Sequence, residues 1–139
     1  MADQNEQQAY LDEMVRSRGY VLDYHKVLAK QDFDVLKKTD ELIHAVYLRQ
    51  RRLDRLTKEL VFIGTLTVMR AGKGQIQSHI RAALDLGVSP EEILEAIEIT
   101  LPEAGVVAFQ AGFEAWREVV GAEGMEPSVK AFEGGSGTR

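Results

Sequence analysis

Apolar residues recur at helical spacing along almost the whole chain, and strand-like alternation is absent. Only three prolines, Pro90, Pro102 and Pro127, interrupt the 139 residues. That pattern restricts the fold to all-α, a helical bundle of six or seven helices. Chain length fits one domain, expected to span residues 1–125, and the glycine-rich segment 126–139 reads as a loose C-terminal tail.

The helices follow from the local signals. "NEQQAYLDEMVRSRG" predicts a first amphipathic helix ending near Gly19, and "YVLDYHKVLAKQ" a short second. "FDVLKKTDELIHAVYLRQ" predicts a third, with Val35, Leu36, Leu42, Ile43, Val46 and Tyr47 on one broad face. In "LDRLTKELVFIGTLTVMR" the second half is apolar almost all round, which predicts a fully packed central helix. "GKGQIQSHIRAAL" predicts a fifth helix, closed by Gly87 in a left-handed cap. "SPEE" is the sharpest start signal: Ser89 as N-cap, Pro90 at the first helical position and Glu92 completing a capping box. That sixth helix runs toward Pro102, and "VVAFQAGFEAWREVV" supplies the seventh.

Cysteine is absent. Disulfides, thiolate metal sites, cysteine nucleophiles and dithiol redox chemistry are therefore excluded for this chain. The net charge of −5 argues against nucleic acid or anionic membrane as partner. No secretory signal is evident in "MADQNEQQAY", and "LVFIGTLTVM" is about half a bilayer span. A cytoplasmic protein is the expectation. With 45% hydrophobic residues the core is adequate, but a chain this short leaves apolar surface to bury by oligomerisation.

Two ionisable residues fall on apolar stripes. His79 lies three residues after Ile76 and four before Ala83. It reads either as a core histidine satisfied by a carbonyl or carboxylate, or as a group in a pocket wall. Glu59 sits between Leu56 and Ile63 at offsets of three and four. It reads either as a solvated charge near a helix start or as a buried carboxylate in need of a partner. Paired, the two would explain each other and would suit proton transfer. His44 and Tyr47, three apart, are candidates to face one space. Arg49, Arg51 and Arg52 are candidate carboxylate ligands, or a solvated helix end. Glu103 either lines a cavity or marks a break at Pro102. Nucleophile elbows, phosphate loops and dinucleotide fingerprints are lacking, and His25, His44 and His79 are too far apart for a local metal motif.

Three tracts, "LDRLTKELVFIGTLT", "HIRAALDLGVSPEEILEAI" and "AGVVAFQAGFEAW", resemble the carboxymuconolactone decarboxylase family over about residues 53–116. The resemblance implies an alkylhydroperoxidase-like helical fold. One branch of that family carries a Cys-x-x-Cys pair before its histidine. Counted back from His79, those thiols would stand at Gly72 and Gln75, so thiol peroxidase activity is not expected. The chain is closer to the branch that keeps the histidine alone. For that branch the resemblance implies cofactor-independent decarboxylation of a carboxylated lactone such as 4-carboxymuconolactone, in aromatic catabolism. His79 would be proton donor or oxyanion stabiliser, with Glu59 orienting it, in a trimer or hexamer. Two departures bear on substrate choice. "RAGKGQ" reads as a lengthened turn, and Val107 stands where the family often has proline. A thiol-less, small-molecule-binding oligomer, or a lyase or isomerase acting on another carbonyl compound, is the alternative.

Overall fold

The structure, a computed structural model, describes residues 3–121. The expected C-terminal tail, 126–139, lies outside the described residues. Among the described residues there are seven α-helices, one π-helical turn and no strand. The fold divides into two compact units between Glu59 and Leu60.

The first unit begins with α1, Gln4–Arg18. Asp3 caps it by accepting from the Glu6 amide at 2.7 Å, and Gly19, at φ 86°, ends it in the left-handed conformation that glycine adopts without strain. Helices α2, Asp23–Gln31, and α3, Phe33–Ile43, follow. Met14, Ala29 and Leu36 form the small core, with Tyr10 and Phe33 packed edge to face against it at 5.3 Å. Beside that core Arg18 is buried and pairs with Asp40, whose other oxygen accepts from the Tyr10 hydroxyl at 2.8 Å. One ion pair thus ties α1 to α3.

The third helix does not run uniformly to residue 50. It changes at His44 into a π turn, His44–Leu48, in which the Arg49 amide donates to the His44 carbonyl at 2.8 Å. The broad apolar face is also narrower than the periodicity implies. Leu36 and Tyr47 are buried, whereas Val35, Leu42 and Val46 form an exposed apolar stripe. Neighbours such as Val35 and Leu36 point about 100° apart on a helix, so one core cannot take both.

Helix α4, Arg55–Val68, starts in the first unit and continues into the second. There it is followed by α5, Lys73–Asp85; α6, Pro90–Glu98; and α7, Leu101–Val120. Ile63, Ile76, Ile80, Ile93, Ile97, Ala115 and Trp116 make the main core. Trp116 anchors α7 by donating its indole N–H to the Pro90 carbonyl at 2.9 Å. The capping box is present, with the Glu92 amide 3.1 Å from Ser89 Oγ and the Ser89 amide 2.9 Å from Glu92 Oε2. Gly87, at φ 94°, follows α5 as expected.

Two expectations are corrected. The second half of α4 is not packed all round, because Val61 and Val68 remain about half exposed while Ile63 and Thr67 are buried. The last helix begins at Leu101 rather than Val106. Pro102 fits its first turn, where no amide hydrogen is needed. Gly105, at φ 85° and ψ 176°, then breaks the helix before it resumes. Among the described residues no helix is long and apolar enough to cross a membrane.

Candidate functional site

Helix α4 opens on Asp54, which accepts from the Thr57 amide at 2.7 Å. That backbone hydrogen bond, with a further one from the Thr57 side chain, holds the Asp54 carboxyl below the usual carboxylate range. The first helical residue, Arg55, reaches in two directions. Its Nε donates to Glu59 Oε1 at 3.1 Å, one turn along the same helix, and its Nη2 donates to the Tyr47 hydroxyl at 2.7 Å. The guanidinium carbon also lies 4.3 Å from the Tyr47 ring centroid. Arg55 is partly exposed, whereas Glu59 is fully buried, at 0%. A carboxylate so placed is tolerable only beside a cation and donors.

Tyr20 lies near the same charges. Burial raises its hydroxyl pKa above the ordinary value, against the opposing effect of Arg18, and Glu59 adds to the rise. Lys58 is also buried. Its ammonium donates to the carbonyls of Tyr47 at 3.0 Å and Arg49 at 2.9 Å. It thereby straps down the chain where the π turn gives way to extended backbone at Arg49.

The segment between the π turn and α4 encloses an open cavity of about 450 Å³. Arg49, Arg51, Arg52, Arg55 and Lys58 line it, with Asp54 as its one acid. Tyr47 borders this cavity. His44, exposed on the π turn, does not.

In the second unit, His79 is buried on α5, at 8% exposure, next to Ile76 and Ile80 at 0%. The Phe62 ring meets its imidazole edge to face, with centroids 5.1 Å apart. Phe62 stands three residues after Glu59 on α4, so both belong to one side of that helix. Gly72 and Gln75, where the thiol branch would have cysteines, are the N-cap and a first-turn residue of α5. A thiol there would be acidified by the helix terminus, but glycine and glutamine offer no such chemistry. The turn preceding them is closed by the Ala71 amide on the Leu66 carbonyl, with Arg70 at φ 52°. Glu103 is exposed in the first turn of α7, just before the break at Gly105.

Arg55 and Lys58 are functional candidates that the sequence reading passed over. The signal for Arg55 was available: it precedes Glu59 by four residues, which places opposite charges side by side on a helix. Lys58 left no comparable signal, because its partners are backbone carbonyls. Among the described residues no group of three or more His, Asp or Glu side chains is arranged to hold a metal ion.

An all-helical protein with a buried Arg-held glutamate on one helix and a buried histidine on the next is the class defined here. A family model for the carboxymuconolactone decarboxylase family matches residues 34–118, and the chain belongs to that family. The match begins earlier than the expected residue 53, so α3 from its second residue, the π turn and the arginine-rich segment lie within it. No match was found among curated proteins. Membership places the chain among decarboxylase-like and alkylhydroperoxidase-like proteins.

Proposed function

We propose that the protein is a cofactor-independent carboxy-lyase acting on a carboxylated unsaturated lactone, with 4-carboxymuconolactone as the type of substrate. The observation that carries this reading is the burial of both Glu59 and His79 within the matched tract. The thiol route open to other family members needs a cysteine, and this chain has none.

The chemistry is self-sufficient. When CO2 leaves, the electron pair of the broken C–C bond moves through the ring alkene into the lactone carbonyl, giving a dienolate. A donor aimed at that oxygen stabilises the developing charge. A proton delivered to the distal ring carbon restores the carbonyl and completes the turnover. His79 is the proposed acid or oxyanion donor, and Glu59 orients it. Arg55 holds Glu59 Oε1 through its Nε. Arg49, Arg51 and Arg52 are the proposed carboxylate ligands, with Tyr47, His44 and Glu103 as further substrate-contact candidates. We place the active form in a homo-oligomer, trimer or hexamer. The exposed apolar residues Ile99, Val106 and Val107 support that assignment.

The test is CO2 release from 4-carboxymuconolactone, measured beside thermal melting on the same samples. In His79→Asn turnover is expected to fall by roughly two to four orders of magnitude, the usual range for a general acid, with assembly intact. Equal turnover per folded molecule in that variant would remove His79 from the chemistry. Wild-type protein inert on every carboxylated lactone tried would remove the lyase assignment.

A further inference from the structure

The cavity of the first unit presents five cations against one carboxylate, and that carboxylate, Asp54, is already engaged by Thr57. Two of the cations are committed as well. Lys58 is spent on backbone carbonyls, and Arg55 on Glu59 and Tyr47. Arg49, Arg51 and Arg52 make no side-chain hydrogen bond or ion pair among the described residues. Three exposed cations on one short segment make a local positive potential in a chain whose net charge is −5.

The cavity has the size of a small-molecule site, within the usual range of roughly 300–1,000 Å³. Its floor is held by the Lys58 strap, so the backbone carrying Arg49 is fixed before any ligand arrives. Guanidinium groups bind carboxylates as planar two-point forks. Several forks around one cavity select an organic acid with several carboxylates over a single small ion.

We infer that this cavity is a recognition site for a small polycarboxylate, gripped by Arg49, Arg51 and Arg52 and coupled electrically to buried Glu59 through Arg55. The coupling follows from Arg55 being shared. Arg55 lines the cavity, and its Nε holds Glu59. An anion in the cavity and the Glu59 carboxylate therefore draw on one positive charge, and each weakens the hold of the other. The substrate class rests on the lyase reading above. The site itself is measured without turnover, so a chain that binds the acid and releases no CO2 would lose the lyase assignment and keep the site.

Calorimetric titration of the full chain with tricarballylate in low-salt buffer tests the proposal. A saturable heat is expected, reduced by added salt as for exposed charges. Arg51→Ala/Arg52→Ala, at exposed positions, is expected to bind at least about tenfold more weakly, the loss of roughly one charge-assisted hydrogen bond. Inorganic phosphate is expected to bind at least about tenfold more weakly than tricarballylate for the same reason, and the trimethyl ester not at all. Glu59→Gln is expected to bind tricarballylate more tightly, because Arg55 is then no longer offset. Tyr47→Phe, which frees Nη2 of Arg55, is a second route to the same gain should Glu59→Gln fail to fold. No saturable heat with wild type, or equal heats with the double arginine variant, overturns the site. Phosphate binding as tightly as tricarballylate overturns the ligand class. Unchanged affinity in the folded Glu59 or Tyr47 variant overturns the coupling.

Discussion

His25 shows how a titratable side chain in this protein serves the backbone. It sits in the first turn of α2, and its Nδ1 accepts the Leu22 amide at 2.9 Å. That bond requires an unprotonated Nδ1. The ring is 2% exposed and lies against Tyr24, with centroids 4.1 Å apart. Burial, helped by the Arg18 cation, lowers its pKa from 6.5 to about 4. The unfolded chain therefore binds a proton between pH 6.5 and 4 that the folded chain refuses, so folding stability falls as pH drops through that window. The loss is on the order of 3 kcal/mol. Denaturant melts at steps from pH 7 to 4 will show it. In His25→Asn that part of the slope is expected to vanish while the slope due to carboxylates persists. Parallel profiles for the two proteins would mean that His25 is protonated in the folded state.

At the level of helices, Gly112 fixes the closest approach in the second unit. A Cβ placed there would overlap Thr67 Oγ1 on α4 and come within 2.8 Å of Thr67 Cγ2 and 2.9 Å of Ile97 Cγ2 on α6. Gly112→Ala is expected to lower stability by about 1–3 kcal/mol despite alanine's better helix propensity, because overpacking outweighs it. A stable variant with a raised melting temperature would show that the crossing has slack. This crossing also marks where sequence reading stops. Caps at Gly19, Gly87 and Ser89 were legible because each is a local event, decided by one residue and its neighbours within a turn. His79 fell legibly on a buried face because Ile76 and Ala83, at offsets of three and four, are themselves buried, whereas for Glu59 the same offsets left solvation and burial both open, and Leu56 on one side of it is exposed. Gly112 carried no such signal, since its constraint comes from side chains forty-five and fifteen positions away. The π turn was illegible for a related reason. Residues 33–50 hold helical periodicity throughout, while the break depends on a lysine of the next helix taking the Tyr47 and Arg49 carbonyls.

At the scale of the whole molecule, the apolar residues that one chain leaves in water point to assembly. Ile99 is 72% exposed, Met69 68%, Val107 64% and Val106 60%. Single exposed apolar residues are ordinary. Four of them in the second unit, each more than half exposed, are a repeated departure, and Val61 and Val68 add to it. Each large aliphatic side chain moved out of water contributes about 1.5–3 kcal/mol, which is enough, repeated around a closed ring, to hold a stable oligomer. Symmetric closure is also the common way for identical chains to cover such surface without forming filaments. Light scattering on the eluting protein is expected to give three or six times the 15.5 kDa chain mass. Ile99→Glu and Val107→Glu place a charge on the exposed side of positions outside the main core. They are expected to shift the mass to smaller species while far-ultraviolet circular dichroism keeps its helical form. If the apolar surface is instead neutral for assembly, wild type will run at a single chain mass, and the two glutamate variants will match it. That result would leave the active unit to a lone chain and withdraw the trimer or hexamer from the proposed function.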